Sequence, residues 1–350
     1  MKKIRIGDRL LGEDEPTFIV AEIGVNHNGN LRVAKKLIDA AKESDAEAVK
    51  FQAYRTERIV TKYAEKARYQ KEATDPRKSQ YNMLKKLELK AEDIRELHRY
   101  AKKRNIIFLS SAFDKESVDL LDSLDVPAFK VASGEITNFP LLRHIAEKKR
   151  PIILSTGLSM LDEIQEALNV IREKGVEDVI LLHCVTSYPA KAEEVNLKVM
   201  NLLRRSFGFP VGLSDHTLGI AVPVAATVLG AVLIEKHFTL DRNLPGPDHH
   251  ASLEPIEFEQ MVTAIREVER ALGNGVKKLT ATEEEIKKVA RRSIVAKVRI
   301  PKGTIIREDM LDYKRPGTGL EPKDSNKIVG KKAKKDIEVD ELITFEKILW

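Results

Sequence analysis

The stretch Val211–His250, VGLSDHTLGIAVPVAATVLGAVLIEKHFTLDRNLPGPDHH, decides how the rest of the sequence is interpreted. It begins with an apolar strand followed by His216, continues through a helix of small residues, and returns to a second apolar strand followed by His237. Because one strand-helix unit separates the two histidines, both are expected at the same edge of a parallel sheet. Two imidazoles at one edge indicate a metal pair, with Asp248 and His249 as further polar candidates, and two unrelated loop histidines are the alternative.

Composition limits the class of protein. The chain has 350 residues, 42% hydrophobic and 33% charged, which is enough for one large domain or for a large and a small one. Its 60 basic and 54 acidic residues are mixed along the sequence, so we expect a solvated surface and no nucleic-acid partner. The single cysteine, Cys184, excludes a disulfide within the chain. The first residues lack the apolar core of a signal peptide, and Pro223 and Gly230 break the longest apolar run, so a cytoplasmic protein with no membrane partner is expected.

Short apolar runs alternate with amphipathic helical stretches from Phe18 to Gly273. Eight strand-helix units over about 270 residues predict an α/β fold, a (β/α)₈ TIM barrel. An open doubly wound sheet is the alternative, but the glycine-rich phosphate loop expected after its first strand is absent from the sequence. A polar insertion from about Tyr54 to Leu89 interrupts the alternation and is long enough to form a lid.

Polar residues stand at the carboxyl end of every predicted strand. In chain order they are Glu22, Lys50, Gln52, Ser110, Ser111, Lys130, Ser133, Glu135, Ser155, Thr156, His183, Ser214, His216 and His237. In barrels of this kind the active site lies at that end. Lysines and hydroxyls suit a phosphate or carboxylate, histidines a divalent metal, and glutamates proton transfer. Each residue alone has a structural explanation, such as a helix cap or a core histidine, but the whole set predicts a site for an anionic substrate.

The pattern changes after Gly273. We interpret the polar segment 274–288 as a linker between a barrel domain, 1–273, and a small β-rich domain, 289–350. In the small domain the sequence around Ile300 recurs weakly about 36 residues later, which indicates an internal repeat. A domain of this size has little core, so it is expected to lean on the barrel or on a partner chain.

Several motifs, in this order along the chain, resemble the sialic acid synthase family. They are AEIGVNHNG from Ala21, FKVASGE from Phe129, ILSTG from Ile153, GLSDHT from Gly212, EKHFT from Glu235 and PGPD from Pro245. The small domain, with KRPGTG from Lys314, resembles the antifreeze-like (SAF) domain of that family. The resemblance spans nearly the whole chain. It implies a TIM-barrel synthase that condenses phosphoenolpyruvate with an N-acetylated amino sugar and releases phosphate by C–O cleavage.

The resemblance also implies roles for individual residues. A divalent metal, usually manganese with magnesium or cobalt as alternatives, would be held by His216 and His237. The implied catalytic residues are Glu22, Glu135, Lys50 and Lys130, and the implied substrate-binding residues are Ser111, Phe113, Ser133, Ser155, Thr186, Tyr188, Ser214, Asp248 and Arg315. The lysines would hold phosphoenolpyruvate and the glutamates would move protons. The family is typically a homodimer in which the SAF domain covers the partner's barrel, so Arg315 would reach the sugar in the other subunit.

The acceptor sugar stays open at this point. Thr186 stands where bacterial N-acetylneuraminate synthases often have asparagine, and related enzymes use a 6-phosphorylated or a 2,4-diacetamido sugar. We expect N-acetylmannosamine, hence an N-acetylneuraminate synthase, with a legionaminate, pseudaminate or sialic acid 9-phosphate synthase as alternatives. Two other classes remain: a Schiff-base aldolase with Lys50 or Lys130 as nucleophile, and a carbohydrate-binding protein whose active part is the small domain.

Overall fold

A small hairpin and a closed barrel form the first part of the computed structural model of the chain, which describes residues 2–350. The hairpin strands are β1 (Ile4–Ile6) and β2 (Arg9–Leu11). The barrel strands are β3 (Phe18–Gly24), β4 (Ala48–Ala53), β5 (Ile107–Ala112), β6 (Phe129–Val131), β7 (Ile152–Ser155), β8 (Val179–Cys184), β9 (Val211–Asp215) and β10 (Leu233–His237). Neighbouring barrel strands are parallel, and β10 pairs with β3 to close the barrel. The (β/α)₈ prediction is confirmed, and the open sheet is excluded.

Helices connect or follow the barrel strands. They are α1 (Leu31–Glu43), α2 (Thr56–Ile59), α3 (Arg68–Ala73), α4 (Gln80–Leu87), α5 (Ala91–Lys103), α6 (Lys115–Ser123), α7 (Phe139–Ala146), α8 (Leu161–Glu173), α9 (Ala192–Val195), α10 (Val199–Phe207), α11 (Ala221–Val228) and α12 (Pro255–Leu272). Local signals set their ends: the side chain of Asn30 accepts hydrogen bonds from two backbone N–H groups of the first turn of α1, and Gly273 follows α12. In the described part of the chain no helix combines the length and apolarity that crossing a bilayer requires.

The lower half of the barrel interior is an apolar core. Its buried members include Phe18, Val20, Ala48, Leu109, Ala128, Ile153, Ile180, Leu182 and Leu233, and where one strand contributes two of them they stand two residues apart. The hairpin adds Ile4, Ile6 and Leu11 to this core and so covers the amino-terminal end of the barrel. The inward positions above this core are polar, so the strand register fixes the level at which the site begins.

The insertion after β4 folds as three short helices, α2 to α4. Tyr54, Met83 and Leu87 are buried together with Val25 from the loop after β3. The Tyr54 hydroxyl donates a hydrogen bond to the carbonyl of Leu84 at 3.1 Å, which ties the start of the insertion to its last helix. The insertion is therefore packed against the carboxyl end of the barrel through its own apolar cluster.

The second compact unit begins after Gly273. It contains α13 (Ala281–Ala290), β11 (Ser293–Ala296), β12 (Leu311–Lys314), α14 (Ser325–Ile328), β13 (Lys332–Ala333) and β14 (Ile348–Leu349). Most of α13 lies in the segment 274–288 that we interpret from sequence as a linker. The weak sequence repeat corresponds to a pseudo-symmetric pairing in which Ile300 and Ile337 exchange both backbone hydrogen bonds at 2.9 Å. Small antiparallel sheets around a single apolar cluster agree with the predicted β-rich domain.

Candidate active site

Two lysines and two glutamates form a buried ionic network at the carboxyl ends of the strands. Lys50 Nζ lies 2.9 Å from Glu22 Oε2 and 3.6 Å from Glu235 Oε1. Lys130 Nζ lies 3.4 Å from the same oxygen of Glu235. None of the four side chains is more than 6% exposed. Three predicted catalytic residues, Glu22, Lys50 and Lys130, therefore meet around one glutamate that the sequence analysis did not select.

Two of the predicted hydroxyl residues join this network. Lys50 Nζ donates a hydrogen bond to Ser111 Oγ at 3.1 Å, and the Ser214 hydroxyl donates to Glu235 Oε1 at 3.0 Å. Gln52 Nε2 donates to Glu22 Oε1 at 3.3 Å. These contacts satisfy part of the hydrogen-bonding capacity of the buried charges.

Burial and neighbouring charges shift the pKa values of the four groups in different directions. Burial raises the pKa of Glu22 to about 7, Glu235 adds to the rise, and Lys50 opposes it. Burial also opposes ionisation of Glu235, but Lys130 and Lys50 outweigh it and hold the pKa of Glu235 below its ordinary value. Burial lowers the pKa of Lys130, whereas the two carboxylates outweigh burial at Lys50 and raise its pKa. Glu235 is thus the fixed anion of the network, and Glu22 is the group that can exchange a proton near neutral pH.

Side chains alternate between the two faces of β10, and this alternation identifies Glu235 as a residue of the site. It stands two residues before His237 in β10 and opposite Ser214 in the β9–β10 register. Both neighbours were predicted to face the site, so Glu235 faces it as well. The same alternation places His183 on the opposite face of β8 from the site. His183 is buried, and its Nε2 lies 2.5 Å from the carbonyl of Val195, so it is a structural histidine of the core.

His216 and His237 lie side by side, with ring centroids 5.3 Å apart. His216 Nδ1 donates to the carbonyl of Val185 at 2.7 Å, which leaves its Nε2 with a free lone pair. His237 Nδ1 is buried and has no hydrogen-bond partner in the described part of the chain, and burial holds the pKa of this imidazole well below its ordinary value. Burial lowers the pKa of His216, but Cys184 and the carbonyl of Val185 outweigh burial and raise that pKa above its ordinary value. A divalent metal would bind both imidazoles in their neutral form. Among residues 2–350 no third His, Cys, Asp or Glu joins them, so the other coordination positions would belong to water or substrate.

A buried ion pair behind the histidines holds the turn that contains His216. Lys236 Nζ lies 2.5 Å from Asp215 Oδ2 and also donates to the carbonyl of Thr217. Asp215 accepts from the backbone N–H of Thr217 at 3.0 Å and from its hydroxyl at 3.1 Å. Lys236 is fully buried, so this pair fixes the path of the chain from β9 through His216.

Aromatic rings cover the histidine pair. The ring centroid of Tyr188 lies 4.2 Å from that of His216 and 5.6 Å from that of His237. Tyr69, from α3 of the insertion, lies 5.1 Å from Tyr188 and was not predicted, because its position depends on how the insertion packs. Burial raises the pKa of Asp248 to about 6, with His216 and Lys50 opposing the rise. Together, Tyr188, Tyr69 and Asp248 give this side of the site hydroxyl and carboxyl groups suited to a sugar.

A cradle of small residues lies at the ends of β6, β7 and β8. Ser133 Oγ accepts a hydrogen bond from the backbone N–H of Gly157 at 3.1 Å. Ser155 Oγ and Thr186 Oγ1 are buried without a hydrogen-bond partner among the described residues. A Cβ at Gly157 would lie 2.5 Å from Thr186 Oγ1 and 2.7 Å from Ser133 Oγ, so only glycine leaves this space open. Unpartnered hydroxyls around an open space are suited to an anion.

The remaining predicted residues lie at other positions. Glu135 is half-buried and accepts from Asn138 Nδ2 at 2.7 Å, while burial raises its pKa. Phe113 packs edge-on against Tyr54 at 6.2 Å, next to the insertion. Arg315 is exposed on the second compact unit. The structure of a single chain therefore describes Arg315 apart from the barrel residues.

Two further histidines brace the loops at this end of the barrel. His27 Nδ1 accepts from the backbone N–H of Gly29 at 3.0 Å, and His249 Nδ1 lies 2.7 Å from Thr239 Oγ1. Burial lowers the pKa of both imidazoles to about 4. Both are therefore neutral structural groups near neutral pH.

A closed parallel barrel with a buried lysine-glutamate network and a histidine pair at the carboxyl ends of its strands is the arrangement of an enzyme active site. The chain belongs to the NeuB family, which it matches over residues 37–277, and residues 291–349 match the SAF domain. The resemblance to the sialic acid synthase family is thereby confirmed, and the chain is an enzyme of that synthase class.

Similar proteins share nearly the full length of the chain. The N,N'-diacetyllegionaminic acid synthase of Campylobacter jejuni is 49% identical over 93% of this chain and 98% of its own length. The N-acetylneuraminate-9-phosphate synthase of Homo sapiens is 39% identical over 97% of this chain and 94% of its own length. The N-acetylneuraminic acid (sialic acid) synthetase of Leptospira borgpetersenii, solved with citrate, is 35% identical, with a TM-score of 0.72 over 81% of this chain and 95% of that one.

Gly157→Ala is expected to remove most of the turnover without unfolding the barrel. The added Cβ fills the space between Ser133 and Thr186, and a displacement of about 1 Å at a catalytic site can cost about 100-fold in rate. Steady-state kinetics and thermal unfolding measure the two effects. Gly134→Ala is the matched control, because a Cβ there meets nothing within 4 Å. Equal losses of turnover in both variants would contradict a functional role for the space between Ser133 and Thr186.

His27→Gln is expected to reduce the change in the free energy of unfolding as the pH falls from 6.5 to 4. The folded-state pKa of His27 is about 4, against an ordinary value of 6.5, so the stability it contributes is complete above 6.5 and is lost as pH falls toward 4. One such group changes the free energy of unfolding by up to about 3 kcal/mol across that window. Guanidinium unfolding at several pH values measures the slope, with the exposed His250→Gln as control. A slope in His27→Gln equal to that of the wild type would count against this assignment.

Proposed function

We propose that this enzyme condenses phosphoenolpyruvate with an N-acetylated amino hexose in its open-chain form, giving a nonulosonic acid and phosphate. The observation that supports this most is the buried network of Lys50, Lys130, Glu22 and Glu235 beside the His216–His237 pair. It offers two ammonium groups to a small polyanion and two imidazoles to a metal within one site.

In this proposal the lysines and the cradle bind the donor. Lys50 and Lys130 hold the carboxylate and phosphate of phosphoenolpyruvate, and the free hydroxyls of Ser155 and Thr186 donate to its oxygens. The C3 carbon of phosphoenolpyruvate attacks the aldehyde carbon, which leaves cationic character at C2. Water adds at C2 and the tetrahedral species expels phosphate with cleavage of the C–O bond. Glu22, with a pKa of about 7, is placed to take the proton from that water, and Glu135 is the second candidate.

A divalent metal, manganese first and magnesium or cobalt as alternatives, belongs to the proposal. His216 and His237 would hold it, and it would provide Lewis acidity toward the aldehyde carbonyl of the acceptor. The buried, unpartnered Nδ1 of His237 and the hydrogen bond that leaves Nε2 of His216 free support these two ligands. Tyr188 packs on both rings and restricts their orientation.

For the acceptor we propose the N-acetylmannosamine skeleton. Tyr188 and Asp248 are the groups on the acceptor side of the histidine pair. A 2,4-diacetamido sugar is the second candidate, because the relative from Campylobacter jejuni, at 49% identity, is named for N,N'-diacetyllegionaminic acid. The presence of Thr186 in place of the asparagine frequent in bacterial N-acetylneuraminate synthases supports the same candidate.

The network argues against a Schiff-base aldolase. Its two carboxylates hold Lys50 in the protonated form, which is not a nucleophile, and raise its pKa. Lys130, whose pKa burial lowers, is the lysine left for imine formation. Borohydride trapping in the presence of a keto-acid substrate therefore separates the two reaction classes.

We further propose a homodimer in which Arg315 contacts the acceptor bound in the partner's barrel. The loop that contains Arg315 is held in place: the Ser293 hydroxyl donates to the carbonyl of Pro316 at 2.6 Å and accepts from the backbone N–H of Gly319 at 2.8 Å. A guanidinium on a fixed loop suits a sugar carbonyl or hydroxyl.

The central test is phosphate release from phosphoenolpyruvate with manganese and a panel of N-acetylated hexosamines, together with the product mass. Activity is expected to disappear in excess chelator and to return with manganese, and His216→Ala and His237→Ala are expected to be inactive but folded. His250→Ala, at an exposed histidine, is the control and should remain active. Full activity with the metal verified absent would contradict the metal site.

Subunit mixing tests the proposed role of Arg315. Inactive Arg315→Ala and inactive His237→Ala subunits are expected to regain activity when mixed under exchange conditions. A mixed dimer then contains one site with an intact barrel from one chain and an intact arginine from the other. If Arg315 acts within its own chain, both sites of every mixed dimer stay defective. No recovery despite verified exchange would therefore rule out action across the dimer.

A further inference from the structure

Each of the two site histidines directly follows one member of a buried ion pair. Asp215 precedes His216, and Lys236 precedes His237. Lys236 Nζ lies 2.5 Å from Asp215 Oδ2, and the two side chains are 0% and 1% exposed. Because side chains alternate along β10, Lys236 lies on the opposite face of the strand from Glu235 and the ionic network. A role of this pair in the reaction must therefore act through the histidines.

The ion pair extends the connection between β9 and β10 past the end of their backbone pairing. The paired register of the two strands ends at Asp215 and Lys236. Beyond that point the Lys236 ammonium donates to the carbonyl of Thr217. Asp215 accepts from the backbone N–H of Thr217 at 3.0 Å and from its hydroxyl at 3.1 Å. The residues on both sides of His216 are therefore fastened to the residue that precedes His237.

Backbone hydrogen bonds hold each histidine to a different segment of the chain. The backbone N–H of Ala190, in the loop after β8, donates to the carbonyl of His216 at 2.9 Å. The backbone N–H of Leu253, just before α12, donates to the carbonyl of His237 at 2.8 Å. These bonds fix each histidine relative to its own neighbour, whereas the ion pair fixes one histidine relative to the other.

We propose that Lys236 and Asp215 are positioning residues, which set the spacing of the two site histidines and thereby the affinity of the site for its divalent metal. The inference rests on the proposed function, because it concerns the metal which that function uses. A metal ion needs its donor atoms at nearly fixed distances, and a residue that orients a ligand is typically worth about 10- to 100-fold in metal affinity. Lys50 and Lys130, which are proposed to hold phosphoenolpyruvate, stand on β4 and β6, so loss of the ion pair acts first on metal binding.

The test is calorimetric titration of manganese into the full-length, chelator-treated protein. The Asp215→Asn/Lys236→Met double variant removes both charges together, so that no buried charge is left without a partner. Its manganese affinity is expected to be at least about tenfold weaker than that of the wild type. A folded double variant that binds manganese as tightly as the wild type would overturn the proposal. Thr217→Val removes one hydrogen bond of the ion pair and no charge, and it should show a smaller loss of affinity. If the double variant does not fold, unchanged affinity in Thr217→Val overturns the proposal instead.

Arg266→Met is the control for loss of stability alone. Arg266 Nη2 lies 3.0 Å from Glu47 Oε2, and Glu47 directly precedes β4, at the opposite end of the barrel from the histidines. This variant should lower the unfolding temperature and keep the manganese affinity of the wild type. An equal loss of affinity in Arg266→Met and in the double variant would mean that destabilisation alone weakens the site, and would reject the positioning role.

A second measurement reports the spacing of the histidines without a metal. The ring centroids of His216 and His237 are 5.3 Å apart, so a nuclear Overhauser contact between the two labelled rings is expected in the metal-free wild type. The contact should weaken in the double variant and persist in Arg266→Met. If the wild type binds no manganese, the metal site of the proposed function fails, and this measurement then judges the positioning role alone. An unchanged contact in the double variant would reject that role.

Discussion

The site depends on keeping two ammonium groups and two carboxylates out of water together. Removing one partner from a buried pair of this kind costs about 3–5 kcal/mol, so Lys50, Lys130, Glu22 and Glu235 require one another. They stand on β3, β4, β6 and β10, and β6 is adjacent to none of the other three strands. A closed barrel brings these strand ends around one point, and the apolar layer below, covered by the β1–β2 hairpin, fixes their height. The charges of the site can therefore compensate one another only when the barrel is closed.

The same network determines how an anion can enter. A polyanion that engages Lys50 and Lys130 competes with Glu22 and Glu235 for the same ammonium groups. Glu235 is the more strongly held of the two, because both lysines lower its pKa, whereas burial leaves Glu22 with a pKa of about 7. Protonation of Glu22 would remove negative charge from the network when the anion binds, but only the ionised form of Glu22 can take the proton of the water in the proposed reaction. The protonation state of Glu22 therefore bears on both anion binding and its proposed role as a base.

Sequence patterns predicted the parts of the site that local periodicity determines. The ends of the strands follow from the alternation of apolar runs and helices, and this placed Glu22, Lys50, Lys130, Ser214, His216 and His237 at one edge. The face of each strand was harder to predict, because it depends on register. His183 was named although it bonds to the carbonyl of Val195, and Glu235 was overlooked inside an apolar strand. Tyr69 depends on how the insertion packs against the barrel, which no local pattern contains.

The two halves of the reaction are built from different kinds of structure. The groups assigned to the donor lie on barrel strands and the turns directly after them, where hydrogen-bonded register leaves little freedom. The groups assigned to the acceptor side, Tyr69 and Asp248, lie on the insertion and on the loop after β10, and no strand register fixes them. Relatives named for legionaminic, pseudaminic and 9-phosphorylated neuraminic acids align with this chain over 93% or more of its length. A rigid donor site combined with acceptor walls made from loops explains how one barrel can serve several sugars, since loops accept changes that a strand end in the ionic network would not.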